Sequence, residues 1–491
     1  MGWKETAEPV LTRMPGITRP EGHVPFKRKL AWTGGVLIVY FFLTNVFLYG
    51  LPAGEAGDDI FGGFRSILAG EQGTIMQVGI GPIVTASIVM QLLGGADLLG
   101  LDTSDPRDQV LYQGLQKLLV IVMTALTAYP MVFMGGFLPV YEPLAAQLGI
   151  SVVALQWIIF AQVLIGGIII LFLDEVVSKW GVGSGIGLFI IAGVSQRILG
   201  GIFSWPSLGE WGILASWFAL LTGRIERPSL FTTDGIHMLL LGQGHLLAIV
   251  TTIFIFAIVV YAESVRVEIP LSHSRVRGAR GRFPVKLIYA SVLPMILVRA
   301  LQMNIQFMGR ILNHRMGDAM PAWLGVYVEG EPMSGFFYYT NPIMRPTEWM
   351  WWLADGATQP VWMIGLRVSV DLTFMIIGGA IFAIFWVETT NMGPDATAQQ
   401  IQRSGMQIPG FRQNVGVYEK VLARYIPQVT VIGGALVGLL AVMANMLGTI
   451  GGVTGEGLLL TVSITYKLYE EIAEEQLMEM HPFVRQMFGR E

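Results

Sequence analysis

Ten long apolar runs, separated by polar segments, organise the 491-residue chain. A helix needs roughly 20 apolar residues to cross about 30 Å of hydrocarbon. Runs of that kind cover residues 30–51, 76–93, 111–134, 151–173 and 184–203. A second set covers 245–267, 286–308, 366–387, 429–447 and 457–469. The pattern predicts an all-α membrane protein of ten transmembrane helices. Five spans, a long connection and five more suggest two halves, as in inverted-repeat membrane proteins. That division rests on counting, since no internal sequence repeat accompanies it.

The polar segments set the orientation. With the N-terminus in the cytoplasm, 22 of the 31 Lys and Arg residues fall in cytoplasmic loops and the span ends flanking them. This excess follows the positive-inside rule and predicts that both termini are cytoplasmic. Segment 1–29 ends in Lys27-Arg28-Lys29 and reads as a cytoplasmic tail before a retained span, not as a cleaved signal. The expected organisation is therefore a first half over 30–203, an external loop over 204–244, a second half over 245–470 and a cytoplasmic tail over 471–491. Two cytoplasmic loops are arginine-rich: 268–285 carries Arg275, Arg277, Arg280 and Arg282, and 389–424 carries Arg403, Arg412, Lys420 and Arg424. The outer connections 204–244 and 309–361 are rich in Trp, Gly and Pro. They read as interfacial caps, with Trp349, Trp351 and Trp352 at headgroup depth.

Composition narrows the function. Hydrophobic residues make up 53% of the chain and charged ones 13%, about half the charged share of a soluble domain. The absence of cysteine excludes disulfides, thiolate metal sites and cysteine nucleophiles. No Gly-Lys pair exists, so there is no P-loop, and the six histidines show no ligand spacing. The run Gly181-Val-Gly183-Ser-Gly185-Ile-Gly187 imitates a dinucleotide fingerprint, but it joins two spans and reads as a tight cytoplasmic turn. Nothing points to catalysis, a cofactor or a metal. Ionisable residues within spans, the usual mark of an ion path, are few: Arg299 in span seven, and Arg367 and Asp371 in span eight. The last two are spaced i, i+4 and are expected to neutralise each other.

Span two is peculiar. A short, moderately polar, glycine-flanked segment over 58–72 precedes Gly79-Ile80-Gly81-Pro82 and then an apolar helix over 83–93. Proline suits the first turn of a helix and disrupts its interior. The expectation is a half-helix, a break at membrane depth, and a second helix. Broken backbone is tolerated there only when buried in protein or lining a water-filled cavity. The same feature also serves a second reading, a secondary transporter that binds a small solute at the broken helix.

The stretch GIGPIVTASIVMQLL (79–93) resembles the second-span signature of the SecY family, the protein-translocation channels. So do LDEVVSKWGVGSGIGLFIIAGVSQ (173–196), YAESVRVEIPLSHSRVRGARGRFPVKLIYASVLPMI (261–296), FWVETT (385–390) and GLLLTVSITYKLYE (457–470). The motifs fall in order and cover nearly the whole chain except the outer loops, and the VSKWGVGSGIGLFI form is nearest the archaeal branch.

The resemblance implies two pseudo-symmetric five-helix halves around a central pore, with a plug half-helix near 59–69. It places a pore ring at Ile80, Val84, Ile186, Ile190, Ile296 and Leu460. A narrow aliphatic ring offers no hydrogen bonds, so it dewets and blocks ions, yet deforms around a sliding chain. A lateral gate is implied between spans two and three and spans seven and eight, with polar positions at Thr85, Thr127 and Asn304. Thr127 stands where relatives often carry Glu. Arg277, Arg280, Arg282 and Arg412 match the loops that dock the ribosome. The implied partners are a SecE-type and a Sec-beta-type (or SecG-type) small subunit, the ribosome with its nascent chain, signal sequences and membrane lipid. The implied location is the cell membrane.

Overall fold

The computed structural model describes residues 3–22, 24–52, 65–95, 99–101, 105–134, 138–205, 211–224, 232–242, 244–273, 280–286, 293–328, 330–353, 359–390, 392–403, 406–407 and 415–480. Among these, helices occupy every expected span. Six are long and apolar enough to cross a membrane: α5 (Pro106–Phe133), α7 (Val152–Trp180), α8 (Gly185–Phe203), α11 (Leu246–Ser264), α14 (Val361–Thr389) and α16 (Val415–Leu447). The other four expected spans fall on α2 (Phe26–Leu43), α4 (Gly81–Gly95), α12 (Leu293–Met316) and α17 (Gly455–Met480). These are shorter or carry charges at an end or within.

The chain forms two compact units, Met1–Gln196 with Ile464–Glu491, and Arg197–Ser463. Their boundaries fall inside α8 and α17. In the first unit α1 (Trp3–Leu11) lies against α5, tied by Lys4 to Asp108 at 2.8 Å and by Arg107 to Glu8. Asp105 caps α5 by accepting from the Arg107 N–H at 3.0 Å, and Ser151 caps α7 through the Ala154 N–H at 3.2 Å, relieving donors that the helix itself cannot satisfy. A four-residue helix α3 (Arg65–Leu68) precedes α4, and α6 (Glu142–Leu148) precedes α7. Gly166 of α7 approaches the Ile75 carbonyl so closely that a Cβ would lie 2.0 Å from it. Glycine at such a position lets backbone meet backbone without a solvent layer.

In the second unit the connections 204–244 and 309–361 contain α9 (Ile213–Thr222), α10 (Thr233–Leu240), a hairpin of β3 (Val326–Val328) with β4 (Glu331–Ser334), and α13 (Phe336–Tyr339). The arginine-rich loops are more ordered than loops: β1 (Arg266–His273) pairs antiparallel with β2 (Arg280–Lys286) and with β5 (Met406–Gln407), giving the order β2-β1-β5. One small sheet thus joins the two loops. Beside it α15 (Pro394–Arg403) buries Ala398 and Ile401 against Val387 of α14 and Tyr418, Leu422 and Ile426 of α16. Deeper along the same pair, a Cβ on Gly379 would stand 2.6 Å from the Gly434 carbonyl oxygen, and one on Gly434 2.5 Å from that of Gly379. α14 and α16 therefore pack main chain to main chain.

Candidate channel site

The break in span two is built from backbone. α3 ends at Leu68, Ala69 turns into the left-handed region (φ 51°), and the chain loops through 70–78 before Gly79 turns again (φ 55°). The Ile80 N–H then donates to the Leu68 carbonyl at 2.7 Å, so the start of α4 is pinned to the end of α3. Gly79 has no substitute here: a Cβ would lie 2.1 Å from that same carbonyl oxygen. The loop is satisfied from within. Arg65, buried, donates to the Gln77 carbonyl at 3.1 Å, the Gln77 side chain accepts from the Gly73 N–H at 2.7 Å, and the Tyr40 hydroxyl donates to the Ala69 carbonyl at 3.0 Å. Irregular backbone at membrane depth needs such partners, because lipid supplies none. Of the expected plug over 59–69, residues 65–69 are described and 59–64 lie outside the described residues.

The first unit carries four of the ring positions. Ile80 is buried (1% exposed) at the entrance to α4, and Val84 is half-buried one turn on. Ile186 and Ile190 occupy the first two turns of α8, Ile190 buried and Ile186 half-buried. The start of α8 is fixed by Asp174 of α7, whose carboxylate accepts from the Ile186 N–H at 2.9 Å. Gly185 makes this fit possible, since a Cβ there would stand 2.6 Å from Asp174 Cα. The glycine run read as a tight turn is one. The gate positions of this unit are Thr85, exposed on α4, and Thr127, half-buried on α5. Each hydroxyl donates back to its own helix, to Gly81 at 2.9 Å and Met123 at 2.8 Å. The two helices are joined by Gln116 of α5 donating to the Ser87 hydroxyl of α4 at 2.8 Å.

The second unit carries Ile296 on α12 and Leu460 on α17, both buried. Asn304 is exposed on α12, one turn beyond Leu301. Leu301, with Val298 of α12 and Val370, Phe374, Ile377 and Ile381 of α14, lines an open apolar groove of about 530 Å³.

One turn from Ile296 and Leu460 in the second unit lies a buried ionic cluster. The Arg299 guanidinium reaches Glu456 through Nε at 2.7 Å and a terminal nitrogen at 2.6 Å, and reaches Asp371 at 3.2 Å, with all three side chains fully buried. This corrects the expected pairing within span eight. Asp371 turns to Arg299, and Arg367 instead reaches Glu348 at 2.6 Å and donates to the carbonyls of Asn341 and Pro342. Glu456 lies one residue before the last apolar run, which starts at 457, so hydropathy alone does not place it in a span. Glu263, also buried within a span, accepts from the Ser463 hydroxyl.

Of the expected docking arginines, Arg277 and Arg412 lie outside the described residues. Arg280 and Arg282 lie on β2, paired with Ser272 and Pro270 of β1.

The fold and this site define a polytopic helical membrane protein with a broken second span and a plug segment. A sequence model of the SecY family matches residues 74–469, and one described as the plug domain of Sec61p matches residues 38–73. The protein translocase subunit SecY of Haloarcula marismortui is 70% identical over the full length of both chains, and that of Methanocaldococcus jannaschii is 39% identical over 98% of this chain and 99% of its own. Among solved structures, a protein-conducting channel superposes with a TM-score of 0.75 at 38% identity, covering 97% of this chain and 99% of its own. Sec61 in the canine ribosome-channel complex from the endoplasmic reticulum gives 0.73 at 38% identity, with the same coverage. The chain belongs to the SecY family.

Proposed function

We propose that this chain is the pore-forming subunit of a Sec translocon: a passive conduit that moves unfolded polypeptide across the cell membrane and releases apolar segments sideways into lipid. The observation that carries this reading is the break in span two, where α3 closes onto the first residue of α4 through the Leu68–Ile80 hydrogen bond. A transporter binding a small solute there would present open backbone groups to it. Here the described groups are taken up by Arg65, Gln77 and Tyr40.

In the proposed mechanism Ile80, Val84, Ile186, Ile190, Ile296 and Leu460 form an aliphatic constriction that excludes ions by dewetting. Their apolar, non-directional contacts accept any passing side chain. Thr85, Thr127 and Asn304 lie along the lateral gate. An apolar helix in the gate partitions into lipid with a gain of a few tenths of a kcal/mol per Leu or Ile, so the chain needs no catalytic activity or energy source of its own. Arg277, Arg280, Arg282 and Arg412 serve ribosome docking, because an arginine fork engages phosphate without reading base sequence. Both termini are cytoplasmic, and SecE-type and Sec-beta-type subunits complete the complex.

Two experiments test this. Replacing Ile80 and Ile186 together by Ser is expected to raise ion leakage through the resting channel in planar bilayers; unchanged conductance rejects the constriction. A stalled secretory nascent chain is expected to crosslink to α4 and α12. Absence of label on both, with solute uptake instead, favours the transporter.

A further inference from the structure

We propose that Arg299 is a positioning residue of the pore, setting the distance between α12 and α17 and so between Ile296 and Leu460. The inference rests on the ring assignment proposed above and adds the device that holds it. Arg299 follows Ile296 by three residues on α12, and Glu456 precedes Leu460 by four on α17. Residues three or four apart on a helix lie one turn apart on the same face. Each ring side chain therefore sits one turn from one end of the Arg299–Glu456 contact.

The cluster is built to hold one geometry. Arg299 also donates to the Gln302 side-chain oxygen at 2.7 Å. Asp371 is held from behind by the Gln302 amide at 2.9 Å and the Ile343 N–H at 3.2 Å. Glu456 accepts from the Asn445 amide at 3.2 Å, and the Asn445 oxygen accepts from the Gly455 N–H at 2.6 Å. Four segments thus converge on one buried cluster: α12, α14, the end of α16 and the start of α17.

Stability alone does not account for this arrangement. Burying each ion costs several kcal/mol, and well-packed apolar residues of similar volume are often equally stabilising or better. What the guanidinium adds is direction, because its planar fork accepts carboxylates in few orientations. Apolar contacts permit small slides between helices. A ring that seals by dewetting depends on its diameter, and a sliding α17 would change it.

The test uses the full-length chain, purified with its membrane partners and reconstituted in planar bilayers. The triple variant Arg299→Met, Asp371→Leu, Glu456→Met removes the charges and keeps volume. Arg299→Lys keeps the charge and loses the fork. Thermal melting in detergent establishes that each variant is folded, and Arg299→Lys decides the matter if the triple variant does not fold.

The expected result is a resting ion current raised about tenfold in the folded triple variant, the scale of a typical coupling between packed elements, with a smaller rise in Arg299→Lys. A folded variant with native resting current overturns the assignment. The Ile80→Ser, Ile186→Ser channel is run alongside. If it leaks while the charge variants stay tight, the role of Arg299 fails and the ring stands. If it stays tight, the ring fails, and the role of Arg299 with it.

Discussion

The two units hold their proposed ring positions by different means. In the first, the ring residues are held by their own main chain: the Ile80 N–H meets Leu68, and the Ile186 N–H meets Asp174. In the second, Leu460 sits within the regular helix α17 and Ile296 at the fourth position of α12, and the contact beside both is made by side chains one turn away. The difference follows from where the chain is irregular. A helix start or a break at membrane depth leaves donors that must find acceptors, and the acceptor that relieves the donor also locates the residue. A continuous helix offers no such handle and needs a directional side-chain contact.

Removing Arg299 alone should have the largest effect. Arg299→Ala leaves Asp371 and Glu456 buried and uncompensated, at a cost of about 3–5 kcal/mol, visible as a collapse of the thermal midpoint in detergent. If the midpoint holds, the second unit does not depend on its ionic cluster and the contrast dissolves. Gly79→Ala should come next. It forces a Cβ into the Leu68 carbonyl at a positive φ, costing about 2–4 kcal/mol. Gly81→Ala on the same helix would meet only the flexible end of Leu68, 3.3 Å away, and is the matched control. Near-equal losses from the two would show that the main-chain hold at Gly79 is not specific.

Asp174→Ala should cost less, about 1–2 kcal/mol, as for other lost helix caps. It should raise hydrogen exchange at the first turn of α8 and leave α12 unchanged; exchange that spreads to α12 would break the separation of the two modes. The smallest effect belongs to the exposed Glu8–Arg107 pair. The Arg107 guanidinium, by its hydrogen bond, holds the Glu8 carboxyl below its ordinary range. A depressed carboxyl contributes its stability above the ordinary glutamate value and loses it as pH falls through the lowered one. Docking of α1 on α5, followed by protease access to α1, should be unaffected near neutrality and weaken only in acid.

Much of the architecture was legible because lipid makes hydropathy so decisive. The ten helices lie where the apolar runs lie, and Gly79-Ile-Gly-Pro82 announced the break before α4. What escaped was tertiary. Spacing within one span paired Arg367 with Asp371, but their partners Glu348 and Arg299 come from a loop and another helix, which no local pattern reveals. Asp174 and Glu456 each lie one residue beyond an expected span end, where an acid looks solvated until the neighbouring helix is in place. The β1–β2 hairpin was hidden by Pro270 and Pro284, since proline argues against strand interiors.

The length of α16 carries one more consequence. Its 33 residues rise about 50 Å, roughly 20 Å more than the hydrocarbon is thick. The overhang begins beside α15 and the small sheet, and the opposite end delivers Asn445 to Glu456. Between them the mutual glycine contact with α14 leaves little room for slippage. The helix therefore runs unbroken from α15 and the small sheet to the buried cluster proposed to space Ile296 from Leu460. A shift of α16 at the sheet end would thereby reach Asn445 without any intervening loop.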